Sequence, residues 1–191
     1  EVPVDLAAFP VVGVSSDASS SLLTVRAGTR DGVTPNTVAT VDAVQLVGKV
    51  DGVRARTCSV RPITDPSVVR LQGRVMLTDI GREGLACLLE PTGDGRLRGD
   101  VEYVSPTPER PTTPEVVAGM TVRLDDPQWP AGAQMLVIGR IERVESSDDS
   151  PLRRVIVVEP TLDLRRVSEV ILRIPVDIDA ADREADRGTA P

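Results

Sequence analysis

The 191-residue chain contains no histidine. A serine or cysteine nucleophile that hands its proton to an imidazole is therefore excluded, and so is any metal site built on imidazole ligands. Aromatic residues amount to 2%, and Phe9, Tyr103 and Trp129 are the complete set. So few rings cannot stack unpaired bases and offer little for stacking on sugars. Of the 22 basic residues only Lys49 is lysine, and the formal net charge is −7. Nucleic acid, whose binding needs clustered cations to neutralise phosphates, is not an expected partner. The arginine bias reads as a genomic habit rather than as a binding patch.

Cysteine is scarce too. Cys58 and Cys87 lie far apart, each inside an apolar run. They cannot form a structural zinc site, which takes four ligands in close pairs. Two readings stay open: a disulfide, if the chain is exported and the two strands are neighbours, or two small buried hydrophobes, the plainer of the two. Without a base beside them they should be inert thiols. No apolar run approaches the roughly 20 residues that span a bilayer, and no signal peptide is recognisable. The chain begins at Glu1 without a methionine, so we expect it to be cut from a longer protein.

What is present is ordinary globular material, with 40% hydrophobic and 27% charged residues. The length suffices for one domain or two small ones. With rings so rare, the core must be built from Val, Leu and Ile, which suits many short interdigitating strands. Turn residues cut the chain into about a dozen such runs, and no long amphipathic helix interrupts them. The chain therefore reads as all-β.

The stretch from Gly28 to Val50 sets the pattern. Gly28, Asp31-Gly32 and Pro35-Asn36 punctuate valine-rich runs, and a strand, a tight connection and two further strands are expected there. Asp51-Gly52 marks the next turn. Ile63-Thr64-Asp65-Pro66-Ser67-Val68 follows, with Asp65 able to initiate a turn and Pro66 barring strand continuation. From Val69 to Leu77 the alternation is that of a half-buried strand. Gly93-Asp94-Gly95 marks a hairpin expected to close through Val101-Glu102-Tyr103-Val104. Ser105 to Glu115 is proline-rich and reads as an exposed loop. Gln134 to Glu145 includes Ile138-Gly139-Arg140-Ile141, and Leu152 to Pro160 is apolar on both faces, as in a strand buried on both. Pro160 to Leu164 suggests a single helical turn, and residues 176–191 an acidic, frayed tail.

Taken in order, these motifs carry a resemblance. Asp31-Gly32-Val33 with Pro35, then Leu46-Val47-Gly48-Lys49-Val50, then Ile63-Thr64-Asp65-Pro66, then Trp129-Pro130-Ala131-Gly132, Ile138-Gly139-Arg140-Ile141 and Val157-Val158-Glu159-Pro160 resemble the extracytoplasmic β-domain of the bacterial rod shape-determining MreC family. The resemblance runs from about Val11 to Ile174. Asn36, Thr37 and Gln45 depart from it, Gln45 standing where a turn glycine usually precedes the leucine.

The resemblance implies two small six-stranded antiparallel β-barrels packed side by side. The partition it suggests is 1–62 for the first barrel and 63–151 for the second, with the final strand, 152–175, free to return to the first. It further implies a non-enzymatic scaffold of the cell-elongation machinery that synthesises peptidoglycan and maintains cell shape. Such a scaffold self-associates, binds a class B penicillin-binding transpeptidase and other elongation-complex proteins, and lies in the periplasm, anchored to the inner membrane by a segment upstream. An exported β-barrel binding a small ligand or a glycan is the alternative.

Candidate chemistry is thin. The paired barrels of this family are similar in arrangement to chymotrypsin-type proteases, but the missing histidine removes that reading. Asp125-Asp126 and Asp148-Asp149 sit in turn-like sequence and read as solvated loops. Gly48-Lys49 lacks the flanking residues of a phosphate loop, and Gly93-Asp94-Gly95 with Gly99 misses dinucleotide spacing. No catalytic, metal-binding or cofactor-binding residue is assigned, and no cofactor is expected. Gly28, Asp31, Gly32, Gly48, Asp65, Pro66 and Gly139 are assigned as structural turn residues. Trp129, in a loop beside Pro130, is either a cap on one barrel end or an exposed contact for a protein partner.

Overall fold

Apolar runs rich in valine, many of them interrupted by glycine, proline or aspartate, become twelve strands among the described residues. A computed structural model of the chain describes residues 3–15, 21–78, 81, 83–102, 106, 114–147 and 150–176. The strands are β1 Val4–Val14, β2 Leu23–Val25, β3 Val38–Val41, β4 Gln45–Val53, β5 Cys58–Pro62, β6 Leu71–Met76, β7 Gly84–Pro91, β8 Leu97–Val101, β9 Thr121–Leu124, β10 Val137–Ser147, β11 Ser150–Glu159 and β12 Glu169–Pro175. Tyr103, Val104, most of the proline-rich stretch, Asp148-Asp149 and the acidic tail lie outside the described residues.

The pairings form two closed antiparallel rings. In the first, β1 pairs with β2, β2 with β5, β5 with β4, β4 with β3, β3 with β12, and β12 with β1 again. In the second, β6, β7, β8, β11, β10 and β9 follow one another and β9 closes on β6. Among the described residues each ring closes on itself, and closure removes the open edges that recruit foreign strands. One parallel pair, Val137 opposite Gln45, joins the rings.

The final strand splits differently from the 152–175 unit expected. Ser150–Glu159 stays in the second ring, because it pairs antiparallel with β10 from Arg140 opposite Glu159 to Ser147 opposite Ser150. Only Glu169–Pro175 returns to the first ring. The chain thus crosses between barrels twice, at 63–70 and at 160–168. The second crossing is a turn, with the Arg166 N–H donating to the Asp163 carbonyl at 3.0 Å, rather than the helical turn expected.

Each barrel is filled by aliphatic layers. Leu23, Val60 and Val50 face one another across three strands of the first, and Leu85, Val75 and Val122 do so in the second. All six are at most 3% exposed. Burying such a side chain contributes about 1.5–3 kcal/mol. Val69 does not continue the β6 alternation; it precedes the strand and is 82% exposed.

Local details depart from the sequence reading where geometry outweighs composition. Between Gly28 and Val50 there are two strands, after a 3-10 turn at Thr29–Asp31. They are joined by a three-residue connection, closed by the Val44 N–H on the Val41 carbonyl at 3.1 Å, in which Asp42 and Ala43 both take positive φ, 50° and 57°, the central geometry of a hairpin turn that matches the twist of its strands. Asp51-Gly52 does not turn the chain; β4 runs on to Val53 with a bulge between Val50 and Gly52, and the turn comes at Arg54–Thr57. Gly48 and Gly139, expected in turns, lie inside β4 and β10. A Cβ on Gly48 would sit 1.9 Å from the Arg61 carbonyl oxygen, and one on Gly139 would sit 2.3 Å from that of Glu159. Both are glycine because neighbouring backbone leaves no room for a side chain.

Candidate functional site

The seam between the barrels concentrates the polar chemistry that the interiors lack. At its centre is Gln45, the first residue of β4 and only 5% exposed. Its amide nitrogen donates to the carbonyls of Val137 and Ile138 in the second barrel, both at 3.1 Å, and to Leu46 at 3.0 Å. Its amide oxygen accepts from the Thr161 hydroxyl at 2.8 Å and the Thr161 N–H at 3.3 Å. One side chain thus ties the first barrel, the second barrel and the returning crossover. A glycine, the residue that the family pattern puts here, could make none of these side-chain bonds. The only sequence signal was that departure, together with a polar residue heading an apolar strand.

The outgoing crossover is pinned by Asp65. Its side chain is fully shielded and accepts from the Ser21 N–H at 2.6 Å, from the Ser67 N–H at 2.9 Å and from the Ser67 hydroxyl, with Arg61 3.3 Å away. Burial pushes the carboxyl up, but these donors and the Arg61 charge outweigh it and hold the group below its ordinary value of 3.8. Pro66 is exposed in the turn that follows, where the Val68 N–H reaches the Asp65 carbonyl at 2.9 Å. Gly28, Asp31 and Gly32 form the turn between β2 and β3. The Asp31 carboxylate accepts the Gly28 N–H at 2.9 Å, and Gly32 takes a φ of 78°.

Trp129 belongs to a loop that leaves the second barrel and rests on the first. Asp126 frames it: 4% exposed, it accepts the N–H groups of Gln72 at 3.1 Å and Gln128 at 2.8 Å. Gln134 locks the return by donating to the Asp126 carbonyl at 2.7 Å and that of Trp129 at 3.2 Å. Asp125 pairs with Arg74 at 2.5 Å. Asp126 is therefore not part of a solvated loop but the fastening of this one, while the Asp125 side chain is 41% exposed. The indole is half-buried against the core, and the Lys49 ammonium lies 5.4 Å from the ring centroid. That is within cation–π range.

Lys49, Val38 and Arg173 are direct cross-strand partners on β4, β3 and β12. They share the outer face of the first barrel, since their neighbours Ala39 and Leu172 fill its interior. Val38 is nevertheless 1% exposed. Beside the loop, a cleft of about 370 Å³ is lined by Val4, Val38, Trp129, Pro130, Arg173 and Pro175 among others.

Cys58 and Cys87 are free, buried and on strands that do not pair, so the disulfide reading fails. Burial, mainly, pushes the Cys58 thiol up to about 11 and that of Cys87 to about 12. Among the described residues no three acidic or cysteine side chains converge on a point that could hold a metal. The larger charged groove at the second barrel is internally neutralised. Arg96 lies 2.9 Å from Glu142 and 3.0 Å from Asp94, whose carboxyl is held down to about 2 by the Thr92 hydroxyl and by Arg96.

This architecture has known counterparts. The family model for the barrel core of the rod shape-determining protein MreC matches residues 11–173, which include strands of both barrels. The crystal structure of MreC from Pseudomonas aeruginosa is similar at a TM-score of 0.68 and 21% identity, covering 88% of this chain and 98% of that one. The major periplasmic domain of the cell shape-determining filament MreC, in its orthorhombic form, gives 0.66 at 17% identity, covering 92% and 99%. A complex between a penicillin-binding protein, PBP2, and MreC from Helicobacter pylori contains a chain similar at 0.55 and 12% identity, covering 90% and 98%. At such identities the likeness is one of fold. No curated protein matches the chain.

Proposed function

The chain belongs to the family of rod shape-determining proteins MreC, and from that premise we propose that it is the extracytoplasmic barrel core of a non-enzymatic scaffold in the cell-elongation machinery. In this reading it lies in the periplasm, its full-length form anchored to the inner membrane. It maintains cell shape by self-associating and by holding a class B penicillin-binding transpeptidase and other elongation proteins. The observation that carries the reading is the family match across residues 11–173. The Helicobacter pylori relative, seen in a complex with a penicillin-binding protein, supports the choice of partner. So does the seam: two closed barrels tied by Gln45 and the Trp129 loop make a stiff body whose outer surface is the working part. Trp129, with its ring half-exposed beside Lys49, is proposed as one element of the partner-facing surface.

The test is direct binding of the purified chain to the extracytoplasmic part of the cognate class B transpeptidase, by biolayer interferometry, with sedimentation velocity for self-association. We expect saturable binding with a Kd of about 1–10 μM, typical of a transient standard-size interface. No binding at a partner concentration a hundred times higher would refute the transpeptidase assignment.

A further inference from the structure

The cleft beside Trp129 is lined by one cation, Arg173, and a second, Lys49, sits over the indole that walls it; neither has an ion pair among the described residues. Among the described residues Arg173 donates one long hydrogen bond, 3.5 Å to the Ala43 carbonyl, and its Nε is shielded from water without a partner. Lys49 rests on the indole and has no ion pair among the described residues. In the charged groove of the second barrel, by contrast, Arg96 is matched by Asp94 and Glu142 and Arg165 by Asp163. In a chain of net charge −7 a matched acid would have been easy to supply. A shielded donor left without an acceptor is costly, and a bound acceptor removes the cost.

Most of the rest of the lining is apolar, with Asn36 and Gln128 the polar exceptions. Trp129 and Pro130 form one wall, Pro175 and Val4 another, and the Asp126–Gln134 bonds keep the loop in place. A rigid tryptophan and prolines flanking a groove suit an extended chain, which brings little entropy to lose, better than a mobile one. The charge and the apolar walls together select the occupant. We infer that this cleft docks an extended acidic segment of a partner protein, with a carboxylate on Arg173 and an adjacent apolar side chain against Trp129 and Pro130. The inference rests on the proposed role only in taking the segment to belong to an extracytoplasmic protein partner.

Trp129 is the sole tryptophan, so its emission reports occupancy without a label. The probe is a panel of Trp-free synthetic hexapeptides alternating Asp with Leu, Val or Pro, alongside the same peptides with Asn or Lys for Asp. Acidic peptides should change Trp129 emission saturably. Their Asn counterparts should bind about tenfold more weakly, the loss expected for one half-buried charged contact. Arg173→Gln should erase that preference, Arg173→Lys should keep most of it, and Arg165→Gln in the charged groove should leave it unchanged, with thermal midpoints checking that each variant folds. No emission change up to millimolar peptide, or equal responses to Asp and Asn peptides, would overturn the inference. Transpeptidase binding measured in parallel separates the two readings. Peptide docking without transpeptidase binding would sink the assignment of that partner and leave the cleft standing; the converse would sink the cleft alone.

Discussion

Replacing Gln45 by leucine would keep the size of the side chain and delete every bond it makes across the seam. Its two amide hydrogens are shared among three carbonyls, and its oxygen takes two donors from Thr161, so about four hydrogen bonds' worth of interaction is at stake. At about 1 kcal/mol net apiece, the loss is about 4 kcal/mol. Leucine recovers little of this, because the atoms around it are carbonyls and a hydroxyl rather than an apolar wall. For a protein of this length that corresponds to a fall in Tm of about 8–16 °C. Urea unfolding followed by far-UV circular dichroism and by Trp129 emission adds a second readout. The two curves should coincide in the native sequence. In Gln45→Leu the emission curve should shift to lower urea, since the Trp129 loop loses its footing on the first barrel before the strands melt. Gln45→Glu should be worse than leucine, because a carboxylate facing the Val137 and Ile138 carbonyls is repelled rather than merely unpaired. A Gln45→Leu protein within about 1 kcal/mol of the native one, with coincident curves, would refute the view that this side chain couples the barrels.

Three further outcomes follow from the same geometry. Gly48→Ala should cost about 2–3 kcal/mol, because the added methyl meets the Arg61 carbonyl and the strands must part; an unchanged urea midpoint would contradict this. The Asp65 carboxyl titrates below its ordinary value, so its contribution is fully present above pH 3.8 and is lost as pH falls through its lowered pKa. Asp65→Asn should therefore flatten the acid limb of the stability curve, as read by urea midpoints between pH 2 and pH 7; an identical limb in both proteins would count against the Asp65 account. With their thiols raised to about 11 and about 12, Cys58 and Cys87 should resist Ellman's reagent at pH 8 in the folded protein and both react in urea, whereas rapid native reactivity of either would show that the barrels open.

Much of this molecule was legible in order along the chain. The scarcity of rings forced an aliphatic core, valine-rich runs of five to ten residues forced strands, and the missing histidine closed off a family of mechanisms before any geometry was known. Those properties depend on each residue and its near neighbours: the period of burial along a strand, the φ that proline permits, the proton that imidazole alone carries at neutral pH. The tertiary structure decided which glycines turn the chain and which make room for a neighbour's carbonyl, since Gly32 and Gly48 look alike until Arg61 is seen beside one of them. It also gave Asp126 a burial and Gln45 a purpose. The partners of Gln45 lie 92 and 116 residues away, brought to it only when each ring closes and the chain crosses back, and no local pattern encodes a meeting that distant.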